Sequence, residues 1–453
     1  MPPEIAQHLE RLATQGHLID VVRVTFPDLL GTDRAREVLV EHLPSAVGHG
    51  LAFCRAVYHT TPRGDTVDVA GGLDAGLPDI MVRPDLSTLA ALPWEPGVAW
   101  CLGDVSDPAT GAPAPESPRE VLKKVLAAWT EFGLSPVVGP ELEYFLCEPD
   151  PNPASVTGWR RYGEAPGSIY TAGLRGDPDR HLLRTIRQLR DLGLRVTAGN
   201  HEYSSGQFEI NLDHSEALDA ADRAFRFKAA VKELARKEGK LATFMAKPFN
   251  DEGGSGFHLH FSAVEPGYDG QNVFDDASGA HGLSNTGRQA LAGILAHAPA
   301  LAALQNPTIN SYKRFGPDTL APWLIDWGLD NRSAMLRVPP ERGAASRLEL
   351  RLGDASANPY LLIASTLAAA LLGIIAEEEP PAPLEGYGYD TSKAPQLPAT
   401  LPAALDALVA DGPLTELLGK EFTASFLAYK RNEIERFQQH VTDWEFGEYA
   451  YHI

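Results

Sequence analysis

The sequence predicts an α+β protein of two unequal domains, residues 1–111 and 112–453. Three observations predict it. Residues 107–116 are rich in Pro, Ala and Gly and have no apolar period, and Ser117-Pro118-Arg119-Glu120 follows them. Serine at an N-cap, proline at the first helical position and glutamate at the third form a capping box, so a new unit begins there. The stretch before it carries short β-rich runs at 20–25 and 98–102, and the stretch after it alternates strand and helix periodicities.

The elements follow in order. Residues 61–79 are rich in Gly, Pro and Asp and read as a loop. Val121, Leu122, Val125, Leu126 and Trp129 continue the helix begun at Pro118, and Gly133 ends it. Residues 136–146 read as a strand. Leu182, Leu183, Ile186 and Leu189 mark a helix that stops at Gly193. Leu218, Ala221, Phe225, Lys228, Val231 and Leu234 mark another, closed by Gly239, and a third spans about 287–304. The apolar run 360–376 contains Ser365 and Thr366 and stops at Glu377-Glu378-Glu379. It falls short of the ~20 apolar residues of a membrane-spanning helix and reads as a buried core helix. Residues 379–400 form a long Pro/Gly loop, and the chain is then mostly helical to about 441.

Composition narrows the function. Among 453 residues, 60 acids outweigh 39 Lys and Arg, for a net charge of −21. That balance argues against a nucleic-acid binder and against adsorption to an anionic membrane. Cys54, Cys101 and Cys147 form no C-x-x-C, which suits a reducing compartment and supplies no zinc motif. The N-terminus lacks the basic-then-apolar pattern of a signal peptide, so a cytoplasmic location is expected.

The polar residues collect on strands. Residues two apart in a strand share a face. In 139–146, Glu141 and Glu143 oppose Leu142 and Tyr144. In 207–212, Gln207, Glu209 and Asn211 oppose Phe208, Ile210 and Leu212, with Glu202 just upstream. In 256–261, His258 and His260 oppose Phe257, Leu259 and Phe261. In 347–352, Arg347, Glu349 and Arg351 oppose three leucines. One such strand alone reads as a half-exposed strand with a solvated face. Four in one region offer Glu141, Glu143, Glu202, Glu209, Glu349, His258 and several arginines. Carboxylates that cannot all ionise side by side need a compensating cation. Oxygen-rich ligation with one imidazole suits Mg²⁺ or Mn²⁺ rather than zinc. The glycine-rich 253–256 stretch has no P-loop lysine after it. Two reaction classes stay open at this point: ATP-dependent phosphoryl transfer with two metals, and two-metal hydrolysis. The arginines, with Arg332 and Arg337 among them, favour the first, because a hydrolase needs few phosphate clamps.

These segments resemble the glutamine synthetase family. The matching stretches are 139–146, 200–209, 247–260, 306–314, 331–334 and 347–360. The resemblance implies an N-terminal β-grasp domain and a catalytic domain with a curved antiparallel sheet flanked by helices, its site a funnel between neighbouring subunits. It implies that Glu143, Glu202 and Glu209 bind one divalent ion and Glu141, His258 and Glu349 the other. Arg314 and Arg351, with Gly254 and Glu143 beside them, match the glutamate-binding positions. Arg332, Arg337 and Arg347 match those around the ATP phosphates, and His260 and Ser262 the nucleotide side. In the family, ATP phosphorylates the glutamate γ-carboxylate and an amine then displaces phosphate.

The departures carry the sharpest information. Ammonia-using members have an aspartate near the end of the N-terminal domain, where Cys54 stands here. They also have a flap glutamate six residues after the arginine that matches Arg314, and here that position is Leu320. Both acids that would bind and deprotonate ammonium are replaced. An aliphatic amine, with a pKa near ~10.4, is neutral in only about one molecule in a few thousand at pH 7, a cost of about 4–5 kcal/mol. An apolar pocket opposes the cation and helps the neutral amine. Trp323, Trp327, Tyr58 and His59 are near in sequence and are candidates for its walls or for the core. Gly253 also replaces an asparagine of the glutamate-binding loop. Tyr389 falls near the family's adenylylation tyrosine, but its surroundings differ and that regulation is not expected.

The expectation is therefore an ATP-dependent γ-glutamyl–amine ligase. Its partners are glutamate, ATP and a small organic amine (ethanolamine, another monoamine or a polyamine), with Mg²⁺ or Mn²⁺ and with neither nucleic acid nor membrane. Its rivals are a glutamine synthetase with a substitute base and a catalytically silent family member with a regulatory or structural role. Family members form homo-oligomers of two stacked hexameric rings, and residues 444–453 resemble the tail that locks them.

Overall fold

A computed structural model describes the chain except residues 70, 154, 156, 164–168, 267–270 and 318. Two sheets organise it. The smaller contains β1 (Val21–Pro27), β2 (Asp33–Leu39), β3 (Leu51–Cys54), β4 (Asp79–Ala91) and β5 (Val98–Ser106), in the order β2-β1-β5-β4-β3. Its central pair, β1 and β5, is parallel and the other pairs are antiparallel, as the expected β-grasp requires. Parallel strands need cover. Val22, Val24, Phe26, Ala99 and Trp100 are accordingly buried, and the helix Pro3–Thr14 packs Ile5 and Leu12 into the same core. That helix and the length of β4 were not legible in sequence, because β4 holds Pro84 and a bulge between Asp85 and Ala90 that break its alternation.

The larger sheet contains β6 (Ser135–Pro149), β7 (Trp159–Arg161), β8 (Val196–His201), β9 (Gln207–Leu212), β10 (Ser215–Glu216), β11 (Leu241–Thr243), β12 (Phe257–Val264), β13 (Trp327–Leu329), β14 (Leu336–Val338) and β15 (Leu348–Leu350). Its path is β13-β14-β15-β12-β6-β9-β8, with β7, β10 and β11 pairing along β6. All pairs but β13–β14 are antiparallel. Helix Ala217–Lys237 packs on β6, while Asn285–Gln305 and Pro359–Ile375 pack on one another. The last is the expected core helix, with all but two of its residues buried. Gly293 and Gly373 let these two helices meet, since a Cβ on Gly293 would lie 2.3 Å from Ala369 O. Among the described residues no helix is long and apolar enough to cross a membrane.

Helix Pro118–Glu131 starts where the sequence predicts, but the expected capping box does not form. Ser117 is fully buried and lies beside the Tyr58 phenol, and Glu120 turns instead to Lys123 at 3.1 Å. Arg119 fastens the smaller sheet to helix Ala217–Lys237. Arg119, only 2 % exposed, donates to both oxygens of Asp222 at 2.9 and 2.8 Å, to Asp85 on β4 at 2.9 Å, and to Asp104 on β5. Asp222 also accepts the Tyr360 hydroxyl at 2.7 Å. Removing one member of a buried charge group leaves the others uncompensated, at about 3–5 kcal/mol. Arg119→Ala should therefore lower the urea midpoint by that equivalent, and a loss under about 1 kcal/mol would show that the cluster contributes little.

Candidate active site

Strand register assembles the site. β6 lies between β12 and β9. Glu141 stands opposite His258 on one side and Asn211 on the other, and Glu143 stands opposite Glu209. Glu209 pairs in turn with Asn200 of β8, His260 with Glu349 of β15, and Glu349 with Arg337 of β14. Directly paired residues project to one face with their Cβ atoms about 5 Å apart. One face therefore gathers the polar set, and the other sends Leu142, Tyr144, Phe208, Ile210, Leu259 and Leu350 into the core.

The contacts are close. His258 Nδ1 lies 2.7 Å from Glu141 Oε1, and its Nε2 lies 4.0 Å from Glu143. His260 Nε2 is 3.6 Å from the other Glu141 oxygen. Asn211 donates its amide to Glu141 at 2.9 Å and to Glu209 at 3.3 Å. Gln207 donates to Glu143 at 2.9 Å and to Gly254 O at 3.0 Å, and the Gly256 N–H reaches Glu143 at 2.8 Å. Asn200 holds Glu202 at 2.8 Å. Ligand atoms of Glu141, Glu209 and His258 lie within 4.8 Å of one another. Glu349 sits between two guanidiniums, Arg337 at 2.5 Å and Arg351 at 2.6 Å.

The charge balance is uneven. Despite burial, Glu349 is held down to about 2 by Arg351 and the two histidines. Glu141, although buried, is held well below the usual carboxylate range by His258 and His260. Burial and the charge of Glu143 push Glu202 up to about 7. Burial and the neighbouring Glu141, Glu143 and Glu202 push Glu209 up further. A carboxyl that ionises only with difficulty beside other carboxylates fits a divalent cation, and oxygen donors with one imidazole suit Mg²⁺ or Mn²⁺.

The structure brings most of the expected residues to this face. His260, Ser262, Arg347, Glu141 and Asn211 line a cavity of about 340 Å³, and Arg332, Arg337 and Asp330 line a second of about 870 Å³. Arg347 Nε lies 3.3 Å from His260 Nδ1. Arg351 Nε donates to Arg332 O at 3.1 Å, which ties that loop to the sheet. Arg314 is buried against Gly254, where a Cβ would lie 2.6 Å from the Arg314 side chain, so only glycine fits. Neither cavity is lined by Leu320 or Cys54. Leu320 is 44 % exposed on the loop after Arg314, with φ +59°, while neighbouring Asp318 lies outside the described residues. Cys54 ends the edge strand of the small sheet, its thiol 3.8 Å from Leu77 O. Tyr58, His59 and Trp327 are buried: Tyr58 packs on Phe26 and the Trp327 indole donates to Pro381 O. Sequence reasoning missed Asp330, which grips Arg337 at 3.1 and 2.5 Å across the β13–β14 turn. No spacing rule announces such a partner.

Residues 115–449 match the family described as "Glutamine synthetase, catalytic domain". The chain belongs to the glutamine synthetase family. It is 38 % identical to a glutamine synthetase of Methanocaldococcus jannaschii over 95 % of each chain. It is 35 % identical to that of Halobacterium salinarum, over 97 % of this chain and 95 % of the other. Among solved structures it matches one described as "GmaS/ADP complex-Conformation 1", with TM-score 0.84, 34 % identity and coverage of 98 % and 99 %. It also matches a "novel glutamine synthase homolog", with TM-score 0.81, 26 % identity and coverage of 94 % and 97 %. The protein is thus a glutamine synthetase-family ligase that forms a C–N bond with ATP, in a family that uses glutamate and divalent metals.

The raised carboxyls set a pH signature. A group whose pKa is higher folded than unfolded contributes stability that is complete below its unfolded value and lost as pH rises through its folded one. For Glu202 that window ends near about 7. Metal-free protein should lose melting temperature between about pH 4.5 and 7, and saturating Mg²⁺ should flatten the slope. A metal-free melting temperature that climbs across this range would refute a repulsive cluster.

Proposed function

We propose that this ligase joins the γ-carboxylate of glutamate to an organic amine rather than to ammonia, through γ-glutamyl phosphate. Glu143, Glu202 and Glu209 would hold one divalent ion, and Glu141, His258 and Glu349 the other. Bound there, the ions supply charge neutralisation for the transferring phosphoryl group. Arg314 and Arg351, with Gly254 and Glu143 nearby, orient glutamate. Arg332, Arg337 and Arg347 clamp the ATP phosphates, and His260 and Ser262 take the nucleotide side. Glu349 and Asp330 hold Arg337 in charge-assisted hydrogen bonds, which fix its direction before substrate arrives.

The observation that carries the choice of amine is Leu320, a half-exposed apolar side chain on the flap where a proton-accepting carboxylate would serve ammonia. An apolar lining penalises an ammonium ion more than a neutral amine. Structural likeness to GmaS, a glutamylmethylamide synthetase, supports the same reading. The amine class includes ethanolamine, other short monoamines and polyamines, and Cys54 of a neighbouring subunit would complete the pocket in a cytoplasmic assembly of two hexameric rings. The exposed aromatic groups of helix Asp443–Tyr449, among them Trp444 and Phe446, suit such an assembly. A second reading, glutamine synthetase proper, is supported by the names of the relatives at about 35 % identity.

Glutamate-dependent ADP release with ammonia, methylamine, ethanolamine and putrescine separates the two. An organic amine should exceed ammonia in kcat/KM by about tenfold or more, equivalent to about 1.4 kcal/mol. Best turnover with ammonia would establish the second reading, and no turnover in folded, metal-loaded protein would favour a silent member. Leu320→Glu should shift preference toward ammonia, and an unchanged preference would remove Leu320 from the amine pocket.

A further inference from the structure

The loop bearing Leu320 and the loop bearing Arg332 are joined by a third segment. Residues 381–397 form no helix or extended strand, yet they run against residues 321–333. Leu384 N–H donates to Trp327 O at 2.7 Å, Ile325 N–H to Pro395 O at 2.8 Å, and Leu397 N–H to Trp323 O at 3.0 Å. At the charged end, Asn331 Nδ2 donates to Gly386 O at 2.6 Å and Gly388 N–H to Ser333 Oγ at 2.8 Å. Gly388 is buried here, and a Cβ on it would stand 2.7 Å from Ser333 O. The next residue, Tyr389, is half-buried and donates its phenol O–H to Ala321 O at 3.1 Å. Within 386–389, Gly386 and Gly388 are tied to the arginine loop and Tyr389 to the flap.

The flap needs an external tie. Leu320 holds φ +59°, in the left-handed region that a branched residue rarely adopts. Such a backbone persists only where its surroundings over-determine it. Within the loop, Thr319 bonds back to Gly316 O at 2.8 Å. Tyr389 adds a bond from outside, one residue beyond Leu320, and its ring lies near the Arg314 and Arg351 guanidiniums.

We propose that Tyr389 is a positioning residue for the amine site, holding the flap in the conformation that presents Leu320 and linking it to the Arg332 loop. This rests on the assignment of the flap to the amine pocket, and it concerns how the flap is held rather than which amine is chosen. Tyr389→Phe removes only the hydroxyl. With whichever amine supports the best turnover, the variant should raise the KM for that amine about five- to tenfold, the worth of one hydrogen bond. KM for ATP and for glutamate should stay within about twofold, since their contacts are untouched. Hydrogen exchange of the Ala321, Trp323, Leu324 and Ile325 amides should quicken severalfold, a readout that needs no turnover. An unchanged amine KM with unchanged exchange, or an equal rise in all three KM values, would overturn the proposal. If ammonia proves the best substrate, the organic-amine reading falls, while the tie is still judged by the KM for ammonia and by exchange.

Discussion

The pairing of β6 with β12 and β9 is the constraint on which the site depends. Glu141 and Glu143 share a face because a strand has period two, but sharing a face makes them only neighbours. The register supplies His258 and Asn211 on either side of Glu141 and Glu209 beside Glu143. A slip of one residue would send every member of the set to the other face. The apolar side chains that would then be exposed include Tyr144, which packs on Phe227 of helix Ala217–Lys237. Burial of one face thus holds the register that builds the other.

The charges on that face are compensated in two different ways. Around Glu349 the protein supplies its own counterions, and the bonds to Arg337 and Arg351 make that carboxylate a fixed acceptor between two guanidiniums. Around Glu202 and Glu209 it supplies amides, Asn200 and Asn211, which are uncharged donors and cannot neutralise an ion. The first arrangement orients arginines without external help. The second leaves carboxylate charge that a divalent cation would balance. A phosphoryl-transfer site needs both, because positive groups must be in place before charge develops and cations must arrive with the nucleotide.

Much of the site was legible because its chemistry follows local periodicity. The polar faces of 139–146, 207–212 and 256–261 are written as alternation, and the core helix at Pro359–Ile375 as an apolar run ended by glutamates. Helix boundaries at Pro118, Gly193 and Gly239 followed the same logic, with Gly193 and Gly239 at φ +87° and +70°. What was missed is long-range. Arg119 lies inside the expected capping box in sequence, and three distant aspartates turn it into a clasp between the smaller sheet and helix Ala217–Lys237. The same burial takes Ser117 away from the helix cap. Tyr58, His59 and Trp327 sit near the candidate pocket along the chain but inside the core in space.

By itself the sequence determined the mixed helix-and-strand class, which residues share a strand face, and the family. These rest on identity and on periods of a few residues, which a linear chain records directly. Only the tertiary structure decided which faces oppose one another, that Glu349 is shared between Arg337 and Arg351, and that Asp330, Gln207 and Tyr389 steady the groups around them. Those contacts join residues brought together by strand pairing and loop packing, and no local pattern encodes a partner whose position the rest of the fold must first establish.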